Sequence, residues 1–207
     1  MQDKPENKAK TGRPRGKRTD ATRVLILRTA AMQFMQMGYD KLSLQEVADL
    51  CGVTKATIYH YYKDKSSLFT EAILLMLRTA LARSEDIVRE TPDLHGKLKL
   101  LAIGLLRHSH VEFETMMRKA SSVLSEEQIA SIRDQEQQLH QLLAGVFRSA
   151  MDEGIIRKSN PVFLSRAFAM LMLMRNQPEL TEGLLSPDEA ATEIVQLFLH
   201  GLDPHKA

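Results

Sequence analysis

A run of polar and aromatic side chains stands out between Val53 and Leu68, in the sequence VTKATIYHYYKDKSSL. Three tyrosines and a histidine fill positions 59–62, and threonine and lysine precede them. A buried helix has little use for so many polar tips, and a solvated helix has little use for so many rings. Lysine pairs with guanine or phosphate, threonine reaches phosphate or the thymine methyl, and tyrosine and histidine donate to phosphate oxygens. The stretch therefore indicates a surface that contacts DNA.

Two short predicted helices position this stretch. Ser43 and Glu46 have the spacing of a capping box, which predicts that a helix begins at this point. Residues 51–53, Cys-Gly-Val, form the next break, and Thr54 is a suitable cap for a third helix that reaches about Tyr61. Two short helices joined by a small turn are typical of a helix-turn-helix, in which the first turns of the second helix enter the major groove.

The remainder of the chain is also predicted to be helical. Asp20 is the predicted cap of the first helix, and Gly38 ends it. No stretch alternates with β-branched enrichment, so we expect an all-α fold of about nine helices. The later predicted helices end near residue 90, near 109, near 121, at 154, near 175 and near 199.

Charge is distributed unevenly along the 207 residues. Residues 1–65 carry 13 lysines and arginines against 7 acidic residues, a balance of +6, and residues 66–207 carry 15 against 19, a balance of −4. A basic N-terminal third favours a polyanionic partner, although a solvated basic tail gives the same balance. The single cysteine, Cys51, excludes a disulfide framework and fits a reducing, cytoplasmic setting. No signal peptide or membrane span is predicted, because the longest apolar run, residues 167–174, is far shorter than the ~20 residues that a span needs.

The segment from about residue 19 to 68 resembles the DNA-binding domain of the TetR family of bacterial transcriptional regulators. The resemblance rests on a set of short motifs: Met-Gly-Tyr at 37–39, Leu-Ser at 42–43, Glu-Val-Ala at 46–48, Cys-Gly-Val-Thr at 51–54, Ile-Tyr-His-Tyr-Tyr at 58–62 and Lys-Asp-Lys-Ser-Ser-Leu-Phe at 63–69. It implies a disordered basic arm (1–18), a three-helix DNA-binding domain (19–65) and a larger helical domain for ligand binding and dimerisation (66–207). It also implies a homodimer on a pseudo-palindromic operator, and a repressor that a small ligand releases.

The resemblance also assigns roles to individual residues. Ser43 and Gln45 are expected to meet phosphate and base edge, the opening residues of the recognition helix to face bases, and the tyrosines and histidine to hold phosphates or sugar edges. The expected DNA contacts in this domain are Ser43, Gln45, Lys55, Ala56, Thr57, Tyr59, His60, Tyr61 and Lys65. Tyr61 and Tyr62 cannot both face DNA, so Tyr62 is predicted to pack under the domain. Cys51 is interpreted as a small core residue.

The arm Gly-Arg-Pro-Arg-Gly-Lys-Arg at 12–18 resembles the Gly-Arg-Pro core of AT-hook peptides, although Thr11 stands where a full hook carries arginine. Such strands lie in narrow A·T minor grooves, whose negative potential attracts arginine. We therefore expect Arg13, Arg15, Lys17 and Arg18 to contact DNA. The alternative is a solvated tail that adds only salt-dependent affinity.

The second predicted domain carries the apolar surfaces. The run AFAMLMLM at 167–174 is apolar on every face, so it needs cover on all sides, and a second subunit is a natural source of cover. The predicted interface residues are Phe163, Ala167, Met170, Met174, Ile194, Leu197 and Phe198. A lipophilic pocket for an apolar or amphipathic ligand is predicted from methionines and rings, with ordinary core packing as the alternative. Its predicted residues are Leu105, Phe113, Met116, Met117, Leu143, Phe147, Phe168 and Met172.

Other functions have less support in the sequence. His108 and Glu112, and His110 and Glu114, share helix faces and suit metal ligation, but solvated polar residues are the preferred interpretation and no metal or other cofactor is predicted. The sequence lacks the glycine-rich, nucleophile-elbow and zinc motifs of common enzymes, so no enzymatic activity is predicted. An architectural protein that coats DNA without sequence preference is the main alternative, but it has no need of an elaborate acidic second domain.

Overall fold

The computed structural model of the protein describes residues 15–106, 113–176 and 185–200. Within these ranges it contains nine α-helices, one 3-10 helix and no strand, which confirms the predicted all-α class. None of the described helices is long and apolar enough to cross a membrane. The elements are α1 (Arg15–Met37), α2 (Leu44–Cys51), α3 (Lys55–Tyr61), α4 (Lys65–Glu90), α5 (Leu94–Leu106), α6 (Phe113–Ala120), α7 (Glu126–Asp152), α8 (Pro161–Leu171), η1 (Met172–Asn176) and α9 (Pro187–His200).

The predicted helix ends around the helix-turn-helix are confirmed by their capping geometry. The Glu46 amide donates to the Ser43 hydroxyl over 3.2 Å, and the Ser43 amide donates to the Glu46 carboxylate over 2.7 Å, so both halves of the capping box are present. Gly52 follows α2 with φ 63°, a left-handed conformation that glycine adopts without steric cost. Thr54 caps α3 by accepting the Thr57 amide over 3.2 Å. These caps fix the angle at which α3 leaves α2.

Two helix boundaries differ from the prediction. Helix α1 begins at Arg15 and contains Asp20, whereas the sequence predicted a cap at Asp20 and a disordered arm through residue 18. Lys17 and Arg18 are good helix formers and no proline occurs in residues 15–20, so the helix continues toward the N-terminus past Asp20. The described part of α6 begins at Phe113, and its predicted start near residue 110 lies outside the described residues. Helix α8 ends at Leu171, before the predicted 175, where the chain tightens into η1. Short 3-10 segments are frequent at the ends of α-helices.

The buried apolar side chains form two clusters. The first, called the first core, joins buried residues of α1 to α4 with Met116, Met117 and Ala120 of α6, Leu124, and Ile132 of α7. Three rings lie at its centre: Phe69 meets Phe34 and Tyr39 edge-on, with centroid distances of 4.9 Å and 5.1 Å. The helices of the helix-turn-helix are therefore packed on the same apolar cluster as α6 and the start of α7.

The second cluster, called the second core, lies between α5, the end of α7, α8, η1 and α9. Phe147 and Phe168 are fully buried in it, and the Phe198 ring lies 5.6 Å and 5.4 Å from their centroids. No residue of α1, α2 or α3 belongs to this cluster. The long helices α4 and α7 pack against each other, and α7 contributes residues to both cores.

Candidate nucleic-acid interface

Helix α3 exposes one face and buries the other. Ile58 is fully buried in the first core, and Tyr62, directly after the helix, is almost fully buried, as predicted. Because these two residues hold the inner side, Lys55, Tyr59 and His60 are turned to solvent. Tyr59 keeps 51% of its surface exposed. The helix therefore presents polar and aromatic tips outward from a fixed apolar base.

Local contacts order the exposed face. The hydroxyls of Thr54 and Thr57 are 2.9 Å apart, and the Lys55 ammonium lies 5.9 Å from the centre of the Tyr59 ring. The rings of His60 and Tyr61 meet edge-on at 5.2 Å. Ala56 is exposed, and Thr57 and Tyr61 are half-buried. All six residues predicted on α3 thus retain at least partial access to a partner.

A groove of about 490 Å³ runs beside α3 and brings together residues from three elements. It contains five of the predicted DNA contacts: Ser43, Gln45, Lys55, Tyr59 and Lys65. Its remaining lining residues are Asp40, Lys41, Leu42, Leu44, Lys63 and Asp64. Four lysines and two aspartates give the groove a net positive balance, which suits an anion.

The side chains of Ser43 and Gln45 already have hydrogen-bond partners in the protein. The Ser43 hydroxyl caps α2, as described above, and the Gln45 amide group donates to the Asp49 carboxylate over 2.7 Å. Gln45 remains exposed, and exchanging this surface contact for one to a base edge is inexpensive. Lys41 and Lys63 line the groove but were not among the predicted contacts. A signal for them exists in the sequence, since each stands two residues before a predicted contact, Ser43 and Lys65.

Lys65 is more enclosed than the sequence suggested. Its ammonium donates to the Asp40 carbonyl oxygen over 3.3 Å and lies 4.5 Å from the centre of the Tyr39 ring. Burial lowers the pKa of Lys65, against opposing attraction from Asp40 and Glu46. The ammonium is therefore engaged between the α1–α2 turn and the start of α4.

An ion pair that was not predicted supports the other side of the helix-turn-helix. The Arg23 guanidinium of α1 lies 2.5 Å from the Glu71 carboxylate of α4, and hydrogen bonding to Glu71 raises the pKa of Arg23. Tyr62 lies beside this pair: burial raises the pKa of its hydroxyl, and Arg23 opposes the shift. Arg23 thus links α1, the end of α3 and α4 around the buried Tyr62 ring.

The predicted arm is only partly within the described residues. Arg13 and the Gly-Arg-Pro core at 12–14 lie outside them. The backbone of Arg15, Lys17 and Arg18 belongs to α1, so this part is helical and not the extended strand that an AT-hook uses. The two histidines of the considered metal site, His108 and His110, also lie outside the described residues. In the part of the chain that the structure describes, no group of three or more metal-ligating side chains occurs.

The structure does not bring the eight predicted pocket residues together. Met116 and Met117 are buried in the first core, and Phe113 packs at its edge, because α6 lies against the helices of the DNA-binding end. Leu105 is 45% exposed. The remaining four share the second core: Leu143, Phe147, Phe168 and Met172.

The predicted interface residues divide in a similar way. Phe163, Met170 and Leu197 are 66%, 62% and 68% exposed, and Met174 is also exposed. Ala167 is half-buried. Ile194 is buried in the second core, and Phe198 packs against it. The exposed members leave an apolar surface on α8, η1 and α9, while the other two belong to the interior of the subunit.

Known proteins with similar sequences were found for this chain. Residues 26–72 match the family described as bacterial regulatory proteins, tetR family. The transcriptional repressor KstR2 of Mycobacterium tuberculosis is 23% identical over 146 residues, 69% of this chain and 73% of KstR2. The match to the TetR family therefore lies within the helix-turn-helix end of this chain. The resemblance seen in the sequence is thereby confirmed, and the TetR family is one of transcriptional regulators that bind DNA.

The relatives differ in how much of this chain they match. The regulator AcrR of Shigella flexneri is 48% identical over 50 residues, but these cover only 24% of this chain and 23% of AcrR. The crystal structure of AibR in complex with isovaleryl coenzyme A and operator DNA has a TM-score of 0.63 and 22% identity, and the match covers 88% of this chain and 98% of AibR. The fold is therefore shared over nearly the whole chain, while the 48% identity to AcrR extends over only 50 residues.

Proposed function

We propose that the protein is a repressor that binds a pseudo-palindromic operator as a homodimer and is released by a small apolar or amphipathic ligand. The proposal that the protein reads a DNA sequence rests on the orientation of α3. Ile58 and Tyr62 anchor its inner side, and Lys55, Tyr59 and His60 project from the outer side. Exposed residues in the first turns of such a helix read base edges, and flanking groups hold phosphates.

The homodimer is supported by the apolar surface on α8, η1 and α9. Phe163, Met170 and Leu197 are each more than half exposed, on two helices that are neighbours in the second core. Leaving three such side chains in water is unfavourable, since burial of one large apolar side chain contributes roughly 1.5–3 kcal/mol. A two-fold axis through this surface would pair it with itself, and two α3 helices related by a two-fold axis match the symmetry of an inverted repeat.

The effector is proposed to act at the second core. Phe147, Phe168 and Met172 form an apolar, aromatic and methionine-containing cluster next to the proposed interface, and such surfaces adapt to varied apolar ligands. AibR is a protein of this fold that holds isovaleryl coenzyme A and operator DNA in one complex. Effector and DNA sites can therefore coexist on one such molecule. A ligand that inserts between α7, α8 and α9 would alter the spacing of the two DNA-binding ends.

The proposal that the protein represses transcription, and does not activate it, is supported by two relatives. KstR2 and the probable acrEF/envCD operon repressor of Escherichia coli are both described as repressors. A dimer that covers an operator blocks access to the DNA beneath it, and a ligand that lowers operator affinity restores access. The differential affinity of the ligand for the two states sets how far it shifts the equilibrium.

The test is fluorescence anisotropy of the full-length protein on duplexes that tile the DNA upstream of its own gene, with excess nonspecific competitor, together with light scattering for the mass. We expect one tile with an inverted repeat to bind far more tightly than the others, and a dimeric mass in solution. Uniform weak binding to every tile and to random duplexes would instead support the architectural alternative. A monomer at micromolar concentration would contradict the proposed interface.

A further inference from the structure

The Tyr62 hydroxyl is a buried polar group without a partner. Tyr62 is 1% exposed, and its hydroxyl is the one buried side-chain polar atom of the described residues that makes no hydrogen bond. Most buried polar groups are hydrogen-bonded, because an unpaired group loses its hydration and gains nothing in exchange. An exception directly after the helix that is proposed to read DNA therefore requires an explanation.

The position of the Tyr62 ring sets the inclination of α3. The helix has two apolar anchors in the first core, Ile58 within it and Tyr62 after it, and the Tyr62 amide donates to the Ile58 carbonyl over 2.9 Å. These positions are roughly 6 Å apart along the axis, so a shift of the ring by about 1 Å tilts the helix by roughly 10°. A binding surface requires its side chains to be held within about 10–20° of the productive geometry. Small movements of Tyr62 therefore matter to DNA reading.

The Arg23 guanidinium lies beside this hydroxyl. Within the described residues, one of its terminal nitrogens donates to the Glu71 carboxylate over 2.5 Å. Hydrogen bonding to Glu71, and then the nearby Tyr62 hydroxyl, raise the pKa of Arg23, although the Arg23 and Tyr62 groups fall short of hydrogen-bond geometry. A guanidinium carries five N–H donors in a planar fork, so it can hold a carboxylate and a hydroxyl at the same time.

The ion pair between Arg23 and Glu71 has little value for stability. The two side chains keep 51% and 41% of their surface exposed, and exposed pairs contribute little to the free energy of folding. The pair does join α1 to α4, two helices that pack against each other in the first core. A role in placing the end of α3 accounts for both the pair and the unpaired hydroxyl beside it.

We propose that Arg23 and Tyr62 are positioning residues for α3, and that the Arg23 guanidinium donates to the Tyr62 hydroxyl oxygen when α3 is seated on the operator. Glu71 holds the same guanidinium from the α4 side, so one planar group ties α1 and α4 to the end of α3. The bond is not made in the free protein, and its formation favours the inclination of α3 that fits the operator. The inference rests on the proposed DNA-binding function.

Tyr62→Phe deletes the hydroxyl and keeps the ring. Because the hydroxyl has no partner in the free protein, the melting temperature should be unchanged or raised. Affinity for the operator should fall roughly tenfold, which corresponds to about 1.4 kcal/mol, while affinity for a random duplex should keep its wild-type value. Both affinities are measured by anisotropy on the full-length protein, with the active fraction fixed by stoichiometric titration. A change that only destabilised the subunit would lower the melting temperature and leave the ratio of the two affinities unchanged.

A double-mutant cycle tests whether the two residues act through one bond. Arg23→Met removes the donor and should lower the ratio of operator affinity to random-duplex affinity as Tyr62→Phe does. The Arg23→Met, Tyr62→Phe double variant should then lose no more than either single variant. Glu71→Gln keeps the shape of the side chain but removes its charge, and should lower the ratio less. Arg28→Met removes another exposed arginine of α1 and is the matched control, with the ratio unchanged.

Three results would overturn the proposal. The first is a ratio of affinities that Tyr62→Phe leaves at the wild-type value. The second is a pair of losses that add in the double variant, since Arg23 and Tyr62 would then act independently. The third is a lowered melting temperature for Tyr62→Phe, which would show that the hydroxyl is already bonded in the free protein. A wild-type protein that does not distinguish any duplex from a random one would instead reject the proposed function itself.

Discussion

The two cores of this protein contain similar apolar and aromatic residues but support different surfaces. The first core fixes a surface: Ile58 and Tyr62 are buried, and α3 holds its polar face outward on a rigid base of rings. The second core buries its aromatic residues but leaves Phe163, Met170 and Leu197 exposed on neighbouring helices. The proposed DNA-reading surface requires fixed polar groups, and the proposed dimer surface requires uncovered apolar groups. Large apolar side chains therefore remain exposed beside the second core, whereas the exposed face of α3 beside the first core is polar and aromatic.

Helix α6 packs on the first core, although its position in the sequence places it in the second predicted domain. It follows α4 and α5 in the chain, yet its apolar face, with Met116 and Met117, belongs to the first core. Any change that moves α6 therefore acts directly on the packing of the DNA-binding end. Within the described residues, α7 contributes to both cores, and α4 packs against both α1 and α7.

The largest expected effect comes from matched truncations in the two cores. Phe34→Ala and Phe147→Ala each remove a fully buried ring, which costs about 3–5 kcal/mol of folding free energy. Hydrogen exchange should show faster opening of α2 and α3 in Phe34→Ala, and of α8 and α9 in Phe147→Ala. Met116→Ala should resemble Phe34→Ala although it lies in α6. If Met116→Ala left α2 and α3 as protected as in the wild type, α6 would not belong functionally to the first core.

The next effect concerns the apolar surface on α8 and α9. Leu197→Asp places a charge on an exposed position, so the fold of the subunit should be retained while the proposed dimer is lost, because an unpaired charge in an apolar interface is costly to desolvate. Light scattering should show a monomeric mass, and helical content should be unchanged. Gln196→Asp, an exposed polar neighbour, is the control and should remain dimeric. A dimer that survives Leu197→Asp would locate the interface elsewhere.

A smaller effect is expected at the cap of α4. Asp64→Ala removes the acceptor of the Ser67 amide, and loss of such a cap costs about 1 kcal/mol. Hydrogen bonds from Ser67 and Ser66 lower the pKa of Asp64 in the folded state, so its contribution is present above the unfolded pKa near 3.9 and is lost as pH falls through the folded value. Chemical denaturation from pH 7 to pH 2 should show a shallower acid loss for Asp64→Asn. If the wild type and Asp64→Asn lost stability identically as the pH falls, the lowered pKa of Asp64 would not contribute to folding stability.

The smallest effect is expected at the ion pair between Glu114 of α6 and Arg133 of α7. The Arg133 guanidinium binds both oxygens of Glu114 at 2.6 Å and 2.7 Å and also binds Glu136 at 2.8 Å. Since Glu114 and Arg133 are both substantially solvent-exposed, Glu114→Gln should cost no more than about 1 kcal/mol, and less at high salt. Denaturation at low and high salt would measure this. A cost that does not fall with salt would indicate a packing role for Glu114.

The DNA-binding end was predictable from the sequence because its signals are local. A capping box spans Ser43 to Glu46, Gly52 meets the need for positive φ, and Thr54 caps the next helix, so residue type and spacing alone locate each boundary. Lys65 shows the limit of this reasoning. Its partners, the Asp40 carbonyl and the Tyr39 ring, are about 25 residues away in the chain, and only the packing of α1 against α4 brings them to it.

The apolar residues of the second half were not predictable to the same degree. Periodicity shows that a helix face is apolar, but an apolar face can meet its own core, a ligand or another subunit. Met116 and Phe168 looked alike in the sequence and belong to different cores, and Ile194 and Leu197 share a helix but only Leu197 is exposed. Which neighbour covers a face depends on the tertiary path of the chain.

The claim that α3 reads the operator is tested most directly by the base preference of Lys55→Ala. Once the tiling experiment has given an operator, its half-site is substituted base by base, and wild type, Lys55→Ala and Tyr59→Phe are titrated on each duplex. We expect Lys55→Ala to relax discrimination at one or two adjacent positions by about 1–3 kcal/mol, and Tyr59→Phe to weaken all duplexes equally and modestly. Unchanged base preference in Lys55→Ala, with affinity lowered uniformly, would show that the first turn of α3 does not face the bases.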